Sequence, residues 1–149
     1  GDSVSAAQLD WGKILEDIVS VESSLLHALR DGAKTRGTER QKYKTKKGDN
    51  LDLYQLVLLV LGDNLALKGL DSSLLRKKII LLLDDKNVKP KRQQVENTLS
   101  AMASIAEENS YYDPVIVYDG IPATIKLSDA MFKLTLKLYR LKWEEENGK

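Results

Sequence analysis

The sequence predicts a mainly α fold with a small β-hairpin, preceded by an amphipathic N-terminal helix, and three observations lead there. Apolar residues recur at steps of three and four in several separate stretches, the period of one helix face. Two β-rich runs, Val115 to Tyr118 and Ile121 to Leu127, flank Asp119-Gly120, a strong hairpin signal. A length of 149 residues with 42% hydrophobic composition suits one domain of ordinary size.

Taken in order, Trp11, Ile14, Ile18, Val21, Leu25 and Leu29 draw one stripe, widened by Leu15 and Leu26, so residues 1–31 read as the amphipathic helix. His27 falls off this stripe and reads as a surface histidine, and Asp31-Gly32 ends the element. Residues 32–50 hold Gly32, Gly37 and Gly48 with almost no apolar residue except Tyr43, the composition of a basic linker. Leu51 to Leu61 is apolar on nearly every side of a helix and belongs at the centre of the core, with Asn50 as its N-cap. Gly69 to Ser73 is a break followed by a cap. It opens a helix from about Ser72 to Asp85 with Leu75, Ile79, Leu82 and Leu83 inward and Arg76, Lys77 and Lys78 outward.

Lys89-Pro90 turns the chain, because proline disfavours a helical residue before it and suits the first turn after it. The next helix, about Lys91 to Glu108, aligns Val95, Leu99, Met102 and Ala106. Opposite them lie Gln93, Asn97, Ser100 and Ser104, a polar but uncharged row where a solvated face ordinarily carries Glu and Lys. In the hairpin, Pro122 suits an edge strand. Ser128 or Asp129 then caps a last helix from about Ala130 to Glu145, which has two apolar stripes. Phe132, Leu136, Tyr139 and Trp143 form one; Met131, Leu134, Leu138 and Leu141 form the other, and only one can face the domain's own core. Residues 144–149 read as a disordered tail.

Composition excludes several chemistries. Without Cys there is no disulfide framework, thiolate metal site or Cys nucleophile, and one His cannot build a His-based metal cluster. Phosphate-binding glycine loops and the nucleophile-elbow motif are missing from the sequence. The expectation is therefore a non-enzyme with no cofactor, no metal and no small-molecule substrate. The longest near-apolar stretch, Leu56 to Leu61, is far short of the roughly 20 residues a membrane span needs, so an intracellular, cytoplasmic setting is expected. The net charge of +1 hides strong segregation. Residues 1–29 are acidic, with Lys13 against Asp2, Asp10, Glu16, Asp17 and Glu22, whereas residues 30–49 and 76–92 are each strongly basic.

The order of buried helix, helix, short turn, helix, hairpin and helix is similar to that of the winged helix-turn-helix superfamily. The stretch Lys89-Pro90-Lys91-Arg92-Gln93-Gln94-Val95-Glu96-Asn97-Thr98-Leu99 resembles the turn and opening of a recognition helix, and the run ending Thr124-Ile125-Lys126-Leu127-Ser128-Asp129 resembles a wing leading into a terminal helix. The resemblance covers about Leu51 to Leu141 and implies a domain over residues 51–143, with residues 91–106 in a major groove and the 115–127 hairpin as wing. Double-stranded DNA is the partner it implies, as for a transcriptional regulator or nucleoid-associated factor.

The residues support that expectation in separable ways. Lys89, Lys91 and Arg92 gather where a helix N-terminus favours phosphate. Gln93, Gln94 and Asn97 carry the amide pair that can bond adenine N6 and N7, and Ser100 is short enough for close approach. Arg76, Lys77, Lys78 and Lys126 are candidates for flanking phosphates. Arg36, Arg40, Lys42, Lys44, Lys46 and Lys47 form either a flexible tether or a basic arm along the DNA. A homodimer is expected through Trp11, Ile14, Ile18 and Leu25, through Met131, Leu134, Leu138 and Leu141, or through both sets. The alternative reading is an interaction or regulatory domain of a larger ATPase or assembly protein, in which the polar row docks protein instead of DNA.

Overall fold

A computed structural model describes residues 24–33, 39–63, 70–86, 88–109, 116–120, 123–127 and 130–147. Along them run α1 (residues 24–31), β1 (Tyr43–Lys44), β2 (Asn50–Leu51), α2 (Leu53–Asp63) and β3 (Leu70–Asp71), followed by α3 (Ser72–Leu82), α4 (Arg92–Glu108), β4 (Ile116–Gly120), β5 (Ala123–Leu127) and α5 (Ala130–Asn147). The fold is mainly α with a small antiparallel hairpin, as the sequence predicts, and its order is compatible with a winged helix.

The core forms around α2, whose residues Leu56 to Leu61 are all essentially inaccessible to solvent. Its start is fixed by a reciprocal pair: the Gln55 N–H donates to Asp52 Oδ1 and the Asp52 N–H to Gln55 Oε1, both at 3.0 Å. Asp52 is therefore the cap, not Asn50, which is spent in β2 opposite Lys44. Helix α5 packs on α2 more extensively than any other described pair of elements does. Gly62 permits the approach, since a Cβ there would run into the carbonyl oxygen of Leu136. Phe132 and Leu136 of α5, Leu75 and Ile79 of α3, and Val95, Leu99, Met102 and Ala106 of α4 complete the core.

Two boundaries differ from expectation. Helix α3 stops at Leu82 because Leu83 turns extended (φ −89°, ψ 152°) and bridges antiparallel to Thr45. Helix α5 continues to Asn147, so residues 144–147 are helical and not part of a disordered tail; the Arg140 side chain donates to Glu144 Oε1 across 2.8 Å.

The linker assignment is corrected over residues 43–50. Tyr43 pairs with Leu51 and Lys44 with Asn50, and Tyr43 is only 2% exposed. Thr45 and Asp49 close the turn through Thr45 N–H to Asp49 O (2.8 Å) and through their side chains, with Gly48 at φ +96°, where other residues are strained. Backbone bonds then dock this hairpin on the end of α3: Lys46 N–H to Leu82 O at 2.9 Å and Asp84 N–H to Lys44 O at 3.0 Å. The Trp143 indole N–H on α5 donates to Asp49 Oδ2 at 2.7 Å. Such docking leaves little trace in hydrophobic composition, because the bonds are made by main chain and by polar side chains.

The second sheet has the order β3-β5-β4. Asp119 pairs with Thr124 and Gly120 with Ala123, so Asp119-Gly120 belongs to the ladder itself. Strand β3, too short to show alternation in sequence, pairs Leu70 with Ile125 and Asp71 with Thr124, making β5 central.

Leu25 and Leu29 are buried in this same core, so Leu25 is not an intersubunit contact. Trp11, Ile14 and Ile18 lie outside the described residues, as does Pro122. Leu134, Leu138 and Leu141 are 41%, 47% and 48% exposed, so the second stripe of α5 is uncovered by the described part of the chain. Met131 lies in the first turn of that helix.

Tyr43→Ala is expected to lower the unfolding free energy by about 3–5 kcal/mol in urea titration, the usual cost of deleting a buried aromatic ring; a flexible tether would give no change. Burial raises the phenol pKa of Tyr139, with the Asp52 and Asp49 carboxylates adding to the rise and Arg30 opposing it, and burial likewise raises that of Tyr43. The folded state therefore favours the neutral phenols, so their contribution is complete below about pH 10, the unfolded value, and is lost as pH climbs beyond it. Urea midpoints measured against pH should fall above about pH 10, less steeply in Tyr139→Phe.

Candidate nucleic-acid interface

Helix α4 presents two chemically distinct faces. Val95, Leu99, Met102 and Ala106 are wholly buried, while Gln93, Asn97, Ser100 and Ser104 are exposed in the row the sequence predicts. Gln93 Nε2 donates to Asn97 Oδ1 across 2.9 Å, and Ser104 Oγ donates to the Ser100 carbonyl across 3.2 Å. The row is thus ordered along the helix, yet Gln93 keeps its amide oxygen and Asn97 its amide nitrogen for a partner.

The opening of α4 is built by several contacts. Lys91 occupies the N-cap position, and its N–H donates to Gln94 Oε1 at 2.8 Å, so this Gln94 oxygen is used in capping. Lys89, Lys91 and Arg92 are all exposed there. Arg92 Nε lies 3.1 Å from Glu96 Oε1, an i,i+4 pair with two-thirds of the arginine side chain still exposed; exposed pairs of this kind are worth about 0–1 kcal/mol and compete weakly with a phosphate. Ser72 at the start of α3 donates to the same carboxylate oxygen at 3.4 Å.

Arg76 is placed differently from its expected phosphate role. It is half-buried, and its Nε donates to the Pro90 carbonyl at 2.9 Å, stapling the middle of α3 to the turn before α4. Lys77 is exposed and Lys78 half-buried on the same helix. Lys126 lies on the central strand β5, paired with Val117 of β4.

The basic segment divides. Arg36 lies outside the described residues. Arg40 is half-buried, with its guanidinium 4.6 Å from the Tyr54 ring centre, a nitrogen 3.9 Å from Asp52, and a hydrogen bond to the Asp31 carbonyl. Lys47 donates to the Glu144 carbonyl at 3.0 Å and lies 4.8 Å from the Trp143 ring centre. These two are therefore tied to the fold and are not members of a free arm. Lys42, Lys44 and Lys46 remain exposed on the hairpin.

One grouping was not foreseen. A cleft of about 320 Å³ lies beside the polar row, lined by Arg40, Gln41, Tyr43 and Tyr54 from one side and by Gln94 and Asn97 of α4 from the other. Asn97 thus borders both the row and the cleft. The only sequence signal was the isolated Tyr43 in an otherwise apolar-poor segment. Among the described residues, no group of three or more His, Cys, Asp or Glu is placed to hold a metal ion, and no helix is long and apolar enough to cross a membrane.

Arg76→Met should cost about 1–3 kcal/mol in chemical denaturation, since it leaves the buried Pro90 carbonyl without its charged donor, whereas Lys77→Met should stay within about 0.5 kcal/mol of the parent. Equal effects of the two substitutions would remove the stapling role. In comparison with known proteins, the chain matches no family model, no curated protein and no solved structure.

Proposed function

We propose that this is a winged-helix protein that binds double-stranded DNA, with α4 entering the major groove and the β4–β5 hairpin acting as wing. The single observation that carries this reading is the exposed, uncharged row Gln93, Asn97, Ser100 and Ser104 on a helix whose other face is fully buried, headed by exposed Lys89, Lys91 and Arg92. Amides on a rigid helix can bond base edges without the desolvation cost of charge, and cations at its N-terminus suit the phosphates that position it. Gln93 and Asn97 are assigned base contacts, Lys89, Lys91 and Arg92 are assigned phosphates, and Lys77, Lys78 and Lys126 are assigned further phosphate contacts. Two copies would present two α4 helices to successive major grooves, about 34–36 Å apart.

Fluorescence anisotropy against mixed-sequence duplex at two salt concentrations tests this. Affinity should fall steeply with salt, and Lys91→Glu/Arg92→Glu should weaken binding tenfold or more while flattening the log–log salt slope by about 2. Asn97→Ala should cost about 1–3 kcal/mol on a selected site and relax its sequence preference. Salt-insensitive binding, or none at low salt, would overturn the reading and leave the polar row as a protein-docking face.

A further inference from the structure

Helix α5 is locked to α2 by Phe132 and Leu136, yet it holds Leu134, Leu138 and Leu141 on the outside, each more than 40% exposed. These three, with Met131 before them, sit at steps of three and four, the a/d spacing of a helix-pairing seam. Lys137 and Lys142, both exposed, lie on its two flanks. A parallel self-pairing of α5 would set Lys137 of one copy against Lys142 of the other, like charge against like charge at the positions that choose a partner. The seam therefore calls for an acidic helix.

The chain contains one. Residues 9–23 carry Trp11, Ile14, Ile18 and Val21 on a single stripe, with Asp10 and Asp17 on one flank and Glu22 on the other. They lead directly into α1, whose Leu25 and Leu29 are buried in the same apolar cluster as Phe132 and Leu136 of α5. As the helix their stripe predicts, these fifteen residues would reach about 22 Å, more than the roughly 10 Å between Leu134 and Leu141 along α5.

We propose that residues 9–23 dock on the Leu134–Leu138–Leu141 seam of α5 of the same chain, apolar stripe to apolar stripe, with Asp10, Asp17 and Glu22 facing Lys137 and Lys142. This assignment is independent of the DNA-binding reading.

The chain has no Cys, so single-thiol variants report the seam cleanly. In the full chain, Leu138→Cys should react with a maleimide at least tenfold more slowly than Val88→Cys, whose parent residue is 76% exposed. Adding Ile14→Asp/Ile18→Asp should abolish that protection while leaving the far-ultraviolet circular dichroism unchanged outside the N-terminal contribution. Lys137→Glu/Lys142→Glu should also speed labelling, and further changing Asp10, Asp17 and Glu22 to Lys should slow it again. Protection unaffected by dilution supports docking within one chain, and protection lost on dilution would overturn it in favour of a second copy. Labelling of Leu138→Cys as fast as Val88→Cys would overturn the proposal, as would protection that survives Ile14→Asp/Ile18→Asp, the outcome expected if two α5 helices pair with each other.

Discussion

A helix with no solvent-facing side determines much of this molecule. Leu56, Val57, Leu58, Leu59, Val60 and Leu61 follow one another on α2, and any of them left in water would forfeit about 1.5–3 kcal/mol. Cover must come from every direction: α5 across Gly62, α3 and α4 through their apolar stripes, α1 through Leu25 and Leu29, and the β1–β2 hairpin through Tyr43 and Leu51. The C-terminal half of α2 also receives charge. Arg140 donates to the Leu59 carbonyl at 3.0 Å, where a cation opposes the negative end of the helix dipole. The same guanidinium lies 5.3 Å from the Trp143 ring centre and pairs with Glu144, so one residue joins the end of α2 to the polar end of α5.

This need for cover explains what could and could not be seen in the sequence. Helices α3 to α5 are legible because each writes its buried face into the spacing of apolar residues, α2 because its run is apolar on nearly every side, and the α4 polar row as the complement of a buried face. Residues 43–50 read as linker because few apolar residues are needed when the main chain of Lys44 and Lys46 bonds to the end of α3 and Asp49 meets Trp143. Strand β3 has only two residues, fewer than a period-two pattern needs. Asp-Gly signals a hairpin without fixing its register: Asp119 and Gly120 are both paired within the ladder. Leu25 was misassigned because an apolar stripe shows that a helix packs, but not whether against its own domain or another.

The corrected hairpin changes the electrostatics of the candidate interface. The six basic residues of the 36–47 segment read as either a tether or one arm, but the fold uses Arg40 against Tyr54 and Asp52, and Lys47 against Trp143 and Glu144. Arg76 is likewise engaged in stapling α3 to Pro90. The cations left at the head of α4 are Lys89, Lys91 and Arg92, so a polyanion would meet a small positive patch beside an amide row, not a broad basic surface. Such a surface would gain less from counterion release and depend more on the base contacts of Gln93 and Asn97 than a uniformly basic one.

The two outward faces also share a foundation. Helices α4 and α5 both pack on α2, α4 exposing amides and α5 exposing leucines, and neither can rotate without uncovering buried residues on its other side. Leu134, Leu138 and Leu141 are consequently presented on a rigid support, which leaves the docking segment to bear nearly all the ordering entropy of association. The distance between the leucine seam and the amide row is thus set by the packing of α4 and α5 on α2. Few adjustable joints lie between the two faces, so a change at Gly62, where α5 crosses α2 against the Leu136 carbonyl, would alter the spacing of seam and row without touching either.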